Sequence, residues 1–177
     1  MLIFKELAKT RQSCRSFSGK YLTEQQLLKC VETARLAPSA CNSQPWHFYG
    51  TVAADKCGKI AAATQAFGSN KFTSSAGGFI VIAEKPAVLS SRINPTESQK
   101  YAQMDIGMVT VHLCFAATEQ DLSSCILGRF DEDMLADIIG LKKDHKIRLV
   151  LALGYSQNDT LREKVRDKTE DILTIID

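Results

Sequence analysis

The spacing of apolar and polar residues predicts helices and strands interleaved along the chain. Apolar positions at helical spacing, with the caps before them, predict helices over residues 2–9, 23–36, 55–65, 99–119 and 131–139. Short apolar or β-branched runs predict strands over residues 47–52, 79–83, 125–127 and 148–154. Because these elements do not follow a regular strand–helix–strand order, the pattern favours an α+β fold, a mixed sheet flanked by helices, over a doubly wound parallel sheet.

Polar residues stand where several of these helices begin. Thr23 and Gln26 have the spacing of a capping box, in which each side chain bonds the other's backbone N–H. Asp55 and Asp131 are the predicted N-caps of later helices, and Gly140 is a predicted helix end. Residues 85–98, rich in proline and serine, are predicted to form the longest loop.

The helix at 99–119 carries a prediction about assembly. Nine of the twelve residues from Ile106 to Ala117 are apolar, and a helix apolar on nearly all sides is buried on nearly all sides. One small domain rarely surrounds such a helix, so we expect part of it to pack against another subunit; the alternative is a central core helix in a monomer. His112 on this helix is expected to be a satisfied core residue. The apolar tail at 172–176 is expected to join a sheet, its own or a partner's.

Composition and charge exclude several classes of function. The 177 residues carry 22 Lys and Arg against 20 Asp and Glu, and a net charge of +2 gives no electrostatic basis for nucleic-acid binding. No apolar stretch approaches the ~20 residues that a transmembrane helix needs. The N-terminus reaches Lys5 and Glu6 too soon for a signal peptide. We therefore expect a cytoplasmic protein without a membrane partner, of one domain spanning residues 1–177.

The chain lacks the common catalytic and metal-binding motifs. Its six cysteines form no Cys-x-x-Cys pair and no zinc-ligand pattern, so we expect buried or incidental thiols and no metal site. There is no glycine-rich phosphate loop, no serine-nucleophile elbow and no zinc-protease motif. The sequence therefore offers no side-chain constellation for acid–base or nucleophilic catalysis.

Two short basic motifs are candidates for anion binding. In an extended chain, Arg11, Ser13 and Arg15 all project to one side, which brings two guanidinium groups and a hydroxyl together. A phosphomonoester, with two charges and three acceptor oxygens, satisfies that arrangement. Lys164 and Arg166 have the same two-residue spacing. The alternatives are a solvated surface for the first motif and a basic stretch on a surface helix for the second.

A third candidate is the stiff polar loop at residues 37–46. Pro38 and Pro45 restrict the backbone at its two ends, and Ser39 and Asn42 supply hydrogen-bonding groups between them. Trp46 follows directly and can anchor the loop in the core. Such a loop suits a planar ligand with polar edges; the alternative is a helix-to-strand connector held by Asx-type turns.

With these motifs the sequence resembles the FMN-dependent nitroreductase (flavin reductase) family. The matching segments are Arg11-x-Ser13-x-Arg15-x-Phe17, Pro38-Ser39-x-x-Asn42-x-Gln44-Pro45-Trp46, Asn70-Lys71, Leu127-Gly128 with Phe130-Asp131, Gly154-Tyr155 and Lys164-x-Arg166. In order and spacing they cover nearly the whole chain. The loop at 38–46 is the most specific of them.

The resemblance implies an intertwined α+β homodimer with a long interface helix and two FMN sites at the interface. Arg11, Gln12, Ser13, Arg15, Lys164 and Arg166 would hold the phosphate and ribityl chain. Pro38, Ser39 and Ala40, with Asn42 in the same loop, would come from the partner subunit; Asn70 would contact the isoalloxazine edge, and Leu127 and Gly128 would offer backbone amides near N5. Ala40 departs from the family, because many members have a hydroxyl residue there.

The implied activity is hydride transfer from NADH or NADPH through bound FMN to a small electron-poor acceptor such as a nitroaromatic, a quinone or an enone. The flavin carries the redox chemistry, so no catalytic side chain is required. One alternative is a flavin-binding module for storage or sensing that turns over poorly. Another is a thiol redox protein that uses Cys14 or Cys41, both beside the expected site.

Overall fold

The computed structural model describes residues 3–87, 89, 94–158 and 160–176. In this part of the chain the helices are α1 (Phe4–Thr10), α2 (Glu24–Ala34), α3 (Ala54–Gln65), α4 (Pro95–Glu119), α5 (Glu132–Ile139) and α6 (Thr169–Ile172). The strands are β1 (Trp46–Thr51), β2 (Gly78–Glu84), β3 (Ser123–Leu127) and β4 (Lys146–Gly154). Each predicted helix and strand is present, and most boundaries differ by one or two residues.

The strands form one antiparallel sheet in the order β1-β2-β4-β3, so β1 and β3 are its edges. β2 is buried along its whole length, and its side chains alternate between two cores. Ile80 and Ile82 pack with α2 and α4 on one face, whereas Phe79 and Val81 pack with α3 and α5 on the other. Helices thus cover both faces of the sheet, and the predicted α+β class is confirmed, although the four named strands are all antiparallel and not the predicted mixed sheet.

The predicted caps of α2 and α5 are present. The Thr23 side chain accepts a hydrogen bond from the Gln26 N–H at 3.2 Å, and the Gln26 side chain accepts one from the Thr23 N–H at 3.1 Å. Asp131 accepts from the Met134 N–H at 2.9 Å, and Gly140 ends α5 with a φ of 61°. These bonds depend on residues three positions apart, so the sequence alone determines them.

Two predicted helix starts are wrong. α3 begins after Ala53, which makes no side-chain cap, and Asp55 lies inside the first turn, where its charge still complements the helix dipole. α4 begins at Pro95 rather than at residue 99. The Asn94 side chain accepts from the Glu97 N–H at 2.8 Å, and proline is favoured at the first helical position. The predicted loop at 85–98 therefore ends before Pro95, and its residues 88 and 90–93 lie outside the described part of the chain.

His112 differs from expectation, and of the two predicted pairings of the tail, the one with its own sheet is not found in the part of the chain that the structure describes. Within the described residues the tail after α6 pairs with no strand of its own chain, and the side chains of Ile175 and Ile176 are 79% and 90% exposed. His112 is only partly buried, and its Nδ1 lies 2.9 Å from the carbonyl oxygen of Met108. His112 lies beside Met108 and Val111, two apolar residues of α4 that are exposed in this chain. It is therefore not a core residue.

Most of the cysteine side chains are buried. All six cysteines are free thiols, and only Cys41 is exposed. Burial raises the pKa of Cys30 and of Cys57 to about 11, which keeps both protonated at neutral pH. None of the helices in the described segments is long and apolar enough to cross a membrane.

Candidate functional site

The segment that follows α1 runs extended beside β3 and displays its alternate residues on one side. Ser13 forms a parallel bridge with Ser124 of β3, and the N–H of Cys14 donates to the Ser124 carbonyl at 2.8 Å. Arg11, Ser13 and Arg15 line one cavity, and Gln12 between them lines it as well.

The chain returns to this place after β4. The segment at 160–168 is not helical, so the surface-helix alternative for the Lys164–Arg166 motif is wrong. The Lys164 ammonium donates to the carbonyl oxygen of Ala8 at 2.9 Å and to that of Arg11, at the C-terminal end of α1, where backbone carbonyls attract cations. Two stretches about 150 residues apart in sequence therefore meet side by side.

Together these segments form an open cavity of about 330 Å³ with a strongly positive lining. Its charged residues are one carboxylate, Glu163, and five cations, namely Arg11, Arg15, Arg162, Lys164 and Arg166. Within the described residues none of these five cations is in an ion pair. Like charges this close repel each other unless an anion lies among them. The cavity is therefore built for an anion of more than one charge.

The environment of Lys164 supports this interpretation. Burial, and then the charges of Arg11 and Arg166, lower the pKa of its ammonium. A phosphate in the cavity would oppose both neighbouring charges and so raise the pKa of the ammonium again. The lysine is thus placed where its charge is costly without an anion and favourable with one.

Arg162 is a cavity residue that the sequence analysis did not identify. Its Nη2 donates to the carbonyl oxygen of Ser13 at 2.6 Å. The spacing of the cations in the sequence could have identified Arg162, because it precedes Lys164 by the same two residues that separate Lys164 from Arg166. In an extended segment all three project to one side.

The polar loop at 38–42 lies elsewhere in the chain. It forms a short turn over Ala40–Asn42 in which Cys41 and Asn42 have positive φ values of 49° and 55°. The Ala40 N–H donates to the buried carboxylate of Asp105 on α4, with both oxygens at 3.2 Å. Trp46 after the loop is buried, as predicted. Asp105 on α4 therefore fixes the position of the loop.

Within one chain, α4 separates this loop from the cations. A smaller cavity beside the positive one is lined by both Arg11 and Thr118, and Thr118 lies thirteen residues after Asp105 on α4. At about 1.5 Å per residue, Asp105, which contacts the loop, and Thr118, which lies near the cations, are about 20 Å apart along the axis of α4. The structure thus brings together Arg11, Gln12, Ser13, Arg15, Lys164 and Arg166, but not Pro38, Ser39, Ala40 and Asn42.

The third group of predicted residues lies at the far end of β3. Asn70 has a φ of 51°, and its Nδ2 donates to the carbonyl oxygens of Thr64 at 3.1 Å and Arg129 at 3.0 Å. This ties Asn70 to the turn after β3, where Leu127 is buried and Gly128 is exposed. Since Leu127 is three residues beyond the strand position that pairs with Ser13, about 10 Å of β3 joins the two groups.

Asp105 gives a pH-dependent prediction. Burial raises the pKa of its carboxyl above 3.8, and the hydrogen bond from Ala40 opposes the shift. A folded-state pKa above the unfolded one favours the protonated fold, so this contribution to stability is full below the unfolded pKa and is lost as pH rises through the folded pKa. Relative to Asp105→Asn, which does not titrate, the wild type should therefore lose free energy of unfolding as pH rises from about 3.8.

Chemical denaturation of both proteins at a series of pH values measures this difference. The exposed Asp167→Asn serves as the control, because Asp167 lies outside the helices and makes no ion pair within the described residues. A difference between wild type and Asp105→Asn that grows in favour of the wild type with rising pH would contradict the assigned shift.

The family of the chain follows from comparison with known proteins. The model of the nitroreductase family matches residues 8–155. The chain belongs to the nitroreductase family, and the resemblance found from the sequence is confirmed. Arg162, Lys164 and Arg166 lie beyond the matched residues.

Similar proteins extend over nearly the whole chain. An oxygen-insensitive NADPH nitroreductase of Helicobacter acinonychis is 25% identical, over 95% of this chain and 94% of its own length. A putative NADH dehydrogenase/NAD(P)H nitroreductase of Archaeoglobus fulgidus is 26% identical, over 85% and 83%. A putative nitroreductase from Exiguobacterium sibiricum, solved in complex with FMN, has a TM-score of 0.87 at 18% identity, over 99% and 98% of the two chains. At that identity the likeness shows the fold.

Proposed function

We propose that this chain, as a single nitroreductase-type domain, is an FMN-dependent oxidoreductase that uses NADH or NADPH to reduce a small electron-poor acceptor such as a nitroaromatic, a quinone or an enone. The observation that carries the proposal is the cation-lined cavity of about 330 Å³ between residues 11–15 and 162–166. The names of the curated relatives, which are NAD(P)H and NADPH nitroreductases, support the same class of reaction.

The residues of the cavity fit the phosphate end of FMN. A phosphomonoester carries about −1.5 to −2 charges near neutral pH and three strong acceptor oxygens. Arginine guanidinium groups match such oxygens with paired donors, and an ammonium adds a point charge. Arg11, Arg15 and Arg166 have no carboxylate partner within the described residues, and so their donors are available for the phosphate.

The remaining predicted contacts would follow β3 away from the phosphate. Ser13 and Gln12 lie beside the phosphate end, and Asn70, Leu127 and Gly128 lie at the opposite end of the strand, where the ring would be held. Bound FMN would supply the redox centre that takes a hydride from NAD(P)H and returns it to the acceptor. The chain's part is to bind, orient and surround it.

We also propose that the working unit is a homodimer. α4 exposes a stripe of apolar side chains at helical spacing, Tyr101, Met104, Met108 and Val111, of which Met104 is 57% exposed. The apolar tail after α6 has no strand partner within the described part of its own chain. A second copy would cover the stripe, give the tail a sheet edge and add the loop at 38–42 to the other subunit's cations. The free thiols further support a cytoplasmic location.

Reconstitution with FMN tests the activity and separates it from the alternatives. After removal of excess FMN, we expect the protein to keep the visible flavin bands, lose them under anaerobic NADH or NADPH, and regain them when a quinone is added. A protein that stays colourless contradicts the proposal. If the flavin binds but stays oxidised in the presence of NADH and of NADPH, the protein is a storage or sensing module instead. Activity lost in Cys14→Ala with Cys41→Ala would favour the thiol mechanism.

A further inference from the structure

Arg162 and Gln12 make contacts that set them apart from the other residues of the cavity. The Gln12 Oε1 accepts from the Arg162 backbone N–H at 3.1 Å and from its Nε at 3.3 Å. The Gln12 Nε2 donates to the carbonyl oxygen of Thr160 at 3.1 Å. Both ends of the Gln12 amide are therefore already engaged with the returning segment at 160–162.

Arg162 at the same time holds the backbone of the opposite segment. Its Nη2 donates to the Ser13 carbonyl at 2.6 Å, and Ser13 bridges to Ser124 on its other side. The backbone of Ser13 thus lies between an edge strand and a guanidinium. Lys164, two residues later, donates to the carbonyl oxygens of Ala8 and Arg11. Apart from the bridge between Ser13 and Ser124, every bond named here joins residues 8–13 to residues 160–164, the two segments that continue into the walls of the cavity.

We propose that Gln12 and Arg162 form a clamp that positions the two walls of the phosphate cavity, and that Gln12 serves flavin binding through Arg162 rather than by touching the flavin. The inference rests on the proposed function, because it assumes that the cavity takes the FMN phosphate. Arg162 is a positioning residue: its guanidinium is directed at an amide oxygen and a backbone carbonyl. The arginine presents its donors on two separate nitrogens, and here the Nε meets the Gln12 amide oxygen while the Nη2 meets the Ser13 carbonyl oxygen.

Hydrogen exchange of the flavin-free protein tests the clamp independently of any cofactor. The Arg162 N–H is itself a donor to Gln12, so Gln12→Ala should speed exchange of that amide, and Arg162→Ala should speed exchange across residues 160–164. Lys168→Ala is the control, because Lys168 lies on the same segment and makes only a 3.7 Å exposed pair with Glu170. Exchange in Gln12→Ala and Arg162→Ala that equals exchange in Lys168→Ala would overturn the clamp even if no flavin binds.

The affinities of the variants for FMN and for riboflavin, which lacks the phosphate, test whether the clamp contributes to binding of the phosphate. Arg162→Ala should weaken FMN binding about fivefold and leave riboflavin binding unchanged, and the double variant with Gln12→Ala should lose less than the two single variants together, because the bond from the Arg162 Nε to the Gln12 Oε1 is common to both. Arg162→Lys should behave like Arg162→Ala. Full rescue by lysine would overturn the proposal in favour of a simple charge, and equal losses for both ligands would overturn it in favour of general destabilisation. Failure of wild type to bind FMN would refute the proposed function and leave the exchange result standing.

Discussion

Replacing Arg11 by alanine is expected to weaken FMN binding by about 1.5–3 kcal/mol, or about 10- to 150-fold, the usual scale for a hydrogen bond to a charged group. Arg11 lines the positive cavity and has no ion-pair partner within the described residues, so an anion is the counter-charge that its position calls for. Arg15→Ala should have an effect of the same size, because Arg15 has the same two properties. Titration of the flavin-free protein with FMN, followed by flavin fluorescence, measures both.

Riboflavin and a distant charge change provide the controls for Arg11→Ala. Riboflavin has no phosphate, so its affinity should not change. Lys59→Ala removes one positive charge from the exposed surface of α3 and should leave FMN binding intact. If Arg11→Ala retains wild-type FMN affinity, or if Lys59→Ala loses as much, the two arginines act only through the overall charge of the protein or not at all.

Met108→Glu is expected to convert the proposed homodimer into monomers and to reduce FMN affinity with it. Met108 lies in the middle of the exposed apolar stripe of α4 and is 37% exposed in the single chain, where a charged side chain is tolerated. In a two-fold interface along α4 the substitution would bury two unpaired carboxylates, and each costs about 3 kcal/mol or more. Flavin binding should weaken because the loop at 38–42 would no longer reach the other subunit's site.

Met134→Glu is the matched control for the dimer. Met134 is 39% exposed, nearly the same as Met108, but it lies on α5, which packs on the opposite face of the sheet. Analytical ultracentrifugation of the wild type and both variants measures whether each protein is a monomer or a dimer. A wild type that sediments as a monomer, or a Met108→Glu protein that stays dimeric with normal FMN affinity, would show that the α4 stripe is not the interface.

The parts of the fold that depend on neighbouring residues could be predicted from the sequence. The capping box at Thr23 and the caps of α5 join residues three positions apart, and the alternation of Ile80 and Ile82 with Phe79 and Val81 follows from strand geometry. α4 begins four residues before its predicted start, because the prolines and serines of residues 85–98 predict a loop, whereas proline is also favoured at the first position of a helix capped by asparagine.

The candidate site could be predicted only where one short segment carries the information. The side shared by Arg11, Ser13 and Arg15 follows from an extended backbone, and the same rule applied one step earlier would have added Arg162. That Gln12 faces Arg162 across about 150 residues of chain depends on tertiary packing, which no local pattern encodes. The position of the 38–42 loop also depends on tertiary packing, since Asp105 on α4 determines it.

Calorimetric titration of the wild-type, flavin-free protein with FMN and with riboflavin, under identical conditions, tests the central claim most directly. If the five cations surround the FMN phosphate, FMN should bind at least about 100-fold more tightly than riboflavin, since two charged hydrogen bonds at the low end of their range already supply about 3 kcal/mol. The preference should shrink as salt is raised, because the interaction is between charges. Equal affinity for the two ligands would mean that the cavity does not hold the phosphate.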